Sequence, residues 1–183
     1  MKLRKIFSRI KRKLIFMLDG VNYAKYMKSY NKWLKKNGMD IEGNAKFIHH
    51  TVYLDGVDYS KIHIGDNCVI SVGSIILVHD FSIEAAFRAC GYENDQNEAH
   101  YIKPVYIGEN CFIGAKCVIL GGTRLGNNCI VGAGSVLPGK EYPDNSIIAG
   151  NPARVIGNTI EWAERKKEEN NFVRSGINST GKF

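Results

Sequence analysis

No part of this 183-residue sequence is apolar for long enough to cross a bilayer as a helix, which takes roughly 20 residues. A basic start followed by LIFML imitates a secretory leader, but the apolar run is short and no small-residue cleavage site follows. These absences argue against a membrane-spanning helix and a leader, and the expectation is a cytoplasmic protein. Thiols stay reduced there, so the five cysteines are expected to be free unless a metal claims them. Acidic residues are scarce at one end only. Residues 1–36 hold twelve Lys or Arg against a single Asp, whereas residues 37–183 hold thirteen against seventeen Asp or Glu, so the formal charge of +7 belongs to an N-terminal arm. No nucleic-acid partner is expected. A hydrophobic content of 44% is ordinary for a globular chain, and one domain with appendages is expected at this length.

The periodicities of helices and of simple strands are missing from the middle of the chain as well. Aliphatic residues recur instead every six positions, at Ile107, Ile113, Ile119, Leu125, Val131 and Leu137. Four positions after each of the first five stands a small residue: Cys111, Cys117, Thr123, Cys129 and Ser135. Upstream, Ile64, Ile70 and Ile76 keep the rule with Cys68 and Ser74. A looser version begins at Ile41, Phe47 and Tyr53, with Ala45, Thr51 and Val57 at the small position. Glycine often follows the aliphatic residue, as at Gly65, Gly108, Gly114, Gly126 and Gly132. A helix repeats every three or four residues and a strand every two, so six fits neither. It fits short strands joined by tight turns, where glycine reaches backbone angles closed to other residues and only compact side chains pack beside the bend.

Four of the five cysteines share the phase that elsewhere takes Ser, Thr or Ala, so they read as small fillers. A zinc site is disfavoured, because ligands six residues apart would lie on different faces of a coil. A disulfide between Cys111 and Cys129 stays open on geometry, since stacked strands lie about 4.8 Å apart; only the compartment argues against it.

The stretches IGDNCVISVGSI, IGENCFIGAKCVILGGTRLGNNCIVGAGSV and IIAGNPARVIG resemble the hexapeptide-repeat acyltransferases, and within them the sugar O-acetyltransferase branch. The resemblance spans residues 41–157 and is closest over 105–157. It implies a mainly β fold, a left-handed parallel β-helix with three hexapeptides per turn and four or five turns in all. Residues 37–157 would form this domain, interrupted by a loop insertion at 80–104. It also implies acetyl-CoA as co-substrate, a sugar or glycan acceptor, a homotrimer, and no metal.

That interruption, between Ile76 and Ile107, is polar and does not repeat. Long excursions from a rigid scaffold tend to carry function. His79 stands at its threshold, and imidazole is the side chain suited to taking a hydroxyl proton near neutral pH. By resemblance His79 matches the family's general base. Asp80 is expected to orient the ring or stabilise its cation, and backbone N–H groups to stabilise the oxyanion. The remaining histidines, His49, His50, His63 and His100, are read as surface residues, His100 being near enough in sequence to reach substrate. A zinc carbonic anhydrase also uses this fold, but no histidine follows His100 to complete a ligand set.

Motif matching carries cofactor contacts to Gly114, Ala115, Ala133 and Ser135 for pantetheine, and to Lys140 and Arg154 for the nucleotide phosphates. The sequence departs from the family at Phe112, where Trp is common, at Pro138-Gly139-Lys140, where a threonine-lysine pair is common, and at Gly157, where a basic residue is common. Two rival functions remain beside O-acetylation: acetylation of an amino sugar or antibiotic, and a non-catalytic β-helix that binds a glycan.

Both ends are helical by pattern. Residues 3, 6, 7, 10, 14, 17 and 21 are apolar at helical spacing, and Tyr23, Tyr26, Met27, Tyr30, Trp33 and Leu34 continue the stripe beyond a break at Asp19-Gly20, making residues 1–36 a basic amphipathic arm. Either residues 1–18 contact the inner face of a membrane, placing the enzyme beside a lipid-linked glycan, or the stripe packs on protein. Asn158 followed by Glu161 marks a helix N-cap, so residues 158–183 read as a short helix that caps the last coil, with a loose tail after Asn170.

Overall fold

The computed structural model describes residues 2–56, 59–92 and 96–173, with side chains from Ile6 onward. Val57, the Leu3 side chain and the tail from residue 174 lie outside the described residues. Two helices come first, α1 (Lys2–Phe16) and α2 (Tyr23–Lys36), and the chain then winds into a coil with three flat faces. The first face stacks the strands Asp40–Ile41, Ile62–Ile64, Val105–Ile107, Arg124–Leu125 and Glu141–Tyr142. On the second lie Phe47–Ile48, Val69–Ile70, Phe112–Ile113, Ile130–Val131 and Ser146–Gly150. Four strands, Tyr53–Leu54, Ile75–Ile76, Val118–Ile119 and Val136–Leu137, make the third. Neighbouring strands within each face are parallel and in register, so Ile76, Ile119 and Leu137 sit one above another.

The six-residue period is the cause. Each two-residue strand of the coil sends one apolar side chain inward and each three-residue strand two, Ile62 with Ile64 and Val105 with Ile107, and all six residues of the 107–137 series are buried. Each such Ile or Leu contributes about 1.5–3 kcal/mol relative to exposure. The small phase is buried too: Cys68, Ser74, Cys111, Cys117, Thr123, Cys129 and Ser135 are at most 1% exposed. All five cysteines are free thiols, so Cys111 and Cys129 form no disulfide. The buried thiols point at carbonyls of the following coil, Cys68 at Gly108 O (3.0 Å), Cys111 at Gly126 O (3.2 Å) and Cys117 at Gly132 O (3.2 Å). Ser74 Oγ makes the same bond to Gly114 O (3.0 Å), which explains why serine and cysteine interchange at this phase.

The glycines after the aliphatic residues serve a different purpose from the expected one. Gly65, Gly108, Gly114, Gly126 and Gly132 do not adopt positive φ. They permit close approach instead: a Cβ on Gly65 would lie 2.5 Å from Glu109 N, and one on Gly114 2.5 Å from Ala133 N. After the first coil, where Gly43 takes the place (φ 59°), the left-handed turn positions between the first and second faces belong to asparagine, at Asn67, Asn110, Asn128 and Asn145 (φ 54–60°). Asparagine tolerates this region, and here each amide donates to the next, Asn67 to Asn110, Asn110 to Asn128 and Asn128 to Asn145, all at 3.0 Å.

In the early coils the phase differs from the sequence reading. Ile48 and Leu54 point inward, whereas Phe47 is only half-buried and Tyr53 is exposed. Seven residues separate Ile41 from Ile48, one more than the repeat, and this single extra residue moves the inward position to its neighbour. Val52 consequently replaces Thr51 at the buried small position.

Helix α2 closes the open end of the coil. Tyr26, Met27, Tyr30, Trp33 and Leu34 are buried on its inner side. Tyr26 donates to Ile48 O (2.6 Å), and the buried Asn31 bridges to Ala45 through its donor (2.9 Å) and its acceptor (3.1 Å). At the other end the expected helix forms, α4 (Thr159–Glu169) with Asn158 accepting from Ile160 N and Glu161 N, but none of its residues is buried. The last coil is covered on its second face by the strand Ala153–Asn158, which returns antiparallel to Ser146–Gly150. Among its described residues the insertion holds one helix, α3 (Ser82–Ala89), and it is clamped at its root by the antiparallel pair His79–Asp80 and Tyr101–Ile102.

Candidate functional site

The coil ends its third face at Ile76 and the insertion leaves two residues later, so His79 is held by the last rigid backbone before the excursion. One coil below, Asp55 follows Leu54, the register partner of Ile76. Asp55 Oδ2 lies 2.9 Å from His79 Nδ1 and also accepts the backbone N–H groups of Val78 (3.0 Å) and His79 (2.9 Å). Burial alone would raise the Asp55 carboxyl, but the donors from Val78, His79 and the imidazole outweigh it and hold the group below the usual carboxylate range. A carboxylate at Nδ1 fixes the ring with its proton on that atom, leaving Nε2 as the basic nitrogen.

Asp80 does not have the role expected of it. Successive residues of a strand point to opposite sides, and Asp80 accepts Ser82 N (2.9 Å) at the start of α3 while His79 turns to Asp55. The Ser82 bond holds the exposed Asp80 carboxyl low. No local signal in the sequence identifies Asp55; only the stacking of one coil on the next reveals it.

Two other histidines also face an aspartate. His63 Nδ1 lies 2.9 Å from Asp40 and His50 Nδ1 2.7 Å from Asp19. Asp19 is as buried as Asp55, at 13% exposed, but Asp40 is not. Asp40 is 71% exposed and Asp55 14%, so the His63 pair is largely hydrated; its ring stacks flat on Tyr106 (4.3 Å), which lies under Arg124 (3.9 Å). These stacked groups belong to a groove of about 610 Å³ on the first face, which also holds Glu42 and Glu109. Asp19, His49 and His50 bring three possible ligand atoms within 4.8 Å of one another. Existing hydrogen bonds account for them: His50 Nδ1 to Asp19, and His49 Nδ1 to Thr51 Oγ1 (2.8 Å).

His79 opens on a different cavity, at the corner between the third and first faces. It encloses about 440 Å³ and is lined by Leu77, His79, Tyr101, Lys103, Gly121 and Gly139 among others. His100, which is not among the lining residues, stands nearby in the insertion, its ring 6.0 Å from that of His79 and stacked on Phe81 at 4.6 Å. Lys140 follows Gly139 at this same corner and is exposed.

The remaining residues singled out from the sequence lie elsewhere. Gly114 and Ala115 turn the chain from the second face to the third, and Ala133 does so one coil later. Arg154 is exposed on the returning strand, opposite Ala149, one coil further at the same edge. This corner and the His79 corner are the two opposite edges of the third face, so within one chain they do not meet. Ser135 is spent internally: its buried hydroxyl donates to Gly132 O (2.6 Å) and accepts Gly150 N (3.2 Å).

Comparison with known proteins agrees with this architecture. Residues 104–138 match the hexapeptide repeat of succinyl-transferase. Protein CapG of Staphylococcus aureus is 35% identical over 137 residues, 75% of each chain. YvoF of Bacillus subtilis, an acetyltransferase by name, is 32% identical over 108 residues; the match covers 59% of this chain and about half, 54%, of that protein. Among solved structures, a galactoside acetyltransferase in complex with coenzyme A superposes with a TM-score of 0.59 at 24% identity, covering 89% of this chain and 84% of that one. A maltose O-acetyltransferase from Clostridium difficile gives 0.52 at 24% identity, over 84% and 87% of the two chains. The chain belongs to the hexapeptide-repeat acyltransferase family, and its coil is the left-handed parallel β-helix of that fold.

Proposed function

We propose that the protein is an O-acetyltransferase that moves acetyl from acetyl-CoA to a hydroxyl of a sugar or glycan, with His79 as general base. The observation that carries this reading is the Asp55–His79 pair at the root of the insertion, facing a cavity wide enough for one small acceptor. Asp55 keeps the imidazole proton on Nδ1. His79 Nε2 takes the acceptor's hydroxyl proton as the oxygen attacks the thioester carbonyl, and the resulting imidazolium returns a proton to the departing sulfur. No covalent enzyme intermediate is needed. Solved relatives of the same fold bear the names galactoside and maltose acetyltransferase, one in complex with coenzyme A, and these names favour a sugar acceptor.

The small residues of the Gly114, Ala115 and Ala133 corner suit a slim pantetheine arm running along the coils, and the exposed Arg154 suits its phosphates. Because that corner and the His79 corner lie on opposite edges of one face, a complete site takes His79 from one copy and the small-residue corner from the next. A closed ring of three copies satisfies every such edge. Lys140, on the His79 side, would reach the nucleotide from across this boundary.

The test is release of free CoA from acetyl-CoA in the presence of a panel of sugars and nucleotide sugars. Release is expected with at least one hydroxyl acceptor, giving a hydroxylamine-labile product, and His79→Ala is expected to lower the rate by about 100- to 10,000-fold. Undiminished release by His79→Ala, or a hydroxylamine-stable product, overturns the reading.

A further inference from the structure

The two helices of the N-terminal arm treat their apolar faces differently. The apolar side of α2 is buried on the coil, whereas that of α1 is turned away from it. Helix α1 sits on the rest of the protein through its other side: Ile15 is buried, Ser8 Oγ donates to Asn37 Oδ1 (2.9 Å), and Arg12 donates to Tyr59 OH (3.1 Å) and lies over Trp33 (5.4 Å). Meanwhile Ile6, Phe7, Ile10 and Leu14, with Met17 just beyond the helix, are 50–72% exposed. At 3.6 residues per turn these five share an arc of about 100°, roughly opposite the packed side. Lys13 and Arg9 border the arc on one side and Lys11 on the other, all exposed. No acidic residue occurs among residues 1–18.

We propose that this face of α1 docks on an anionic lipid bilayer. Bulky apolar side chains flanked on both sides by cations match the interface between acyl chains and headgroups, where the apolar groups sink and the flexible cations reach back to phosphate. A phosphate-bearing surface also offsets the charge of the arm, which includes the exposed Lys25, Lys28, Lys32, Lys35 and Lys36 of α2. Pairing the same face with its counterpart on a second copy brings like charges together and gains no such compensation. No described helix is long and apolar enough to cross a membrane, so the contact is peripheral. It is independent of the acetyl-transfer reading, because binding is measured without turnover.

The experiment is flotation of the full chain with vesicles of equal parts phosphatidylglycerol and phosphatidylcholine, against vesicles of phosphatidylcholine alone, with oligomer mass followed by light scattering. Binding to the anionic vesicles is expected to be about tenfold tighter or more, and to weaken with salt. The double variant Ile10→Glu/Leu14→Glu alters only exposed positions and is expected to lose about tenfold or more of that binding at unchanged mass. Lys11→Gln/Lys13→Gln keeps the apolar face and is expected to lose part of the preference for anionic lipid. Absence of binding to anionic vesicles, equal binding to both compositions, or unaltered flotation of the Ile10→Glu/Leu14→Glu variant overturns the proposal. So does a change of oligomer mass in that variant, which identifies the face as a contact between copies.

Discussion

His79 and Asp55 are 24 residues apart in the chain and one coil apart in space, with a single carboxylate oxygen bonded to both the ring and the main chain of the histidine. Asp55→Asn keeps the shape but turns an acceptor into a group that can present N–H to Nδ1, favouring the wrong tautomer. We expect kcat to fall by about 100- to 10,000-fold with KM for acetyl-CoA little changed. A variant that lost stability while keeping kcat would make Asp55 structural only.

The same pair sets an acid limit. Since Asp55 in the folded protein ionises below its ordinary value of 3.8, its charged form contributes stability above that pH, and the contribution is lost as pH falls through the lower folded value. Urea unfolding should show the Asp55→Asn variant weaker than the parent at neutral pH, with the gap narrowing below pH 3.8.

Close approach of successive coils at Gly65 leaves no room for a methyl group, the obstacle being the Glu109 backbone rather than a movable side chain. Gly65→Ala is therefore expected to cost about 1–3 kcal/mol in urea unfolding. Gly91→Ala provides a comparison: no atom lies within 4 Å of its added Cβ, and its cost is confined to the strain of a positive φ.

Thiol chemistry separates the filler cysteines from the exposed one. Cys90 is exposed in the insertion, while Cys68, Cys111, Cys117 and Cys129 are buried, and burial pushes the Cys117 thiol above its usual range. Aromatic disulfide reagents should titrate one thiol per native chain promptly and the other four only on unfolding. Cys117→Ser should be tolerated within about 1 kcal/mol, because its hydroxyl inherits the bond to Gly132 O, whereas Cys117→Leu overpacks the coil by about 1–3 kcal/mol.

From Ile107 to Leu137 the fold was legible residue by residue, because every coil there obeys one spacing and inward aliphatics follow directly from it. The inward phase is hidden where one extra residue precedes Ile48, since a period of six has no tolerance for an insertion and Phe47 is as apolar as its neighbour. The position of His79 at the root of the insertion was legible from the break in the repeat. Its partner was not: sequence adjacency favoured Asp80, while hydrogen bonding follows the stacking of coils, which brings Asp55 to the ring. The exposed side of α1 could not be told from the buried side of α2, as both stripes carry the same spacing and differ only in what lies against them.

The proposed division of one site between two copies is tested most directly by mixing two inactive variants. His79→Ala disables one corner, and Ala115→Trp obstructs the other. After the two are co-refolded, activity is expected to return to about a third of the parental rate per mixed trimer, since a ring holding both kinds has one boundary where an intact His79 meets an intact small-residue corner. Mixed oligomers that form and stay inactive, or Ala115→Trp homo-oligomers of full activity, contradict the account.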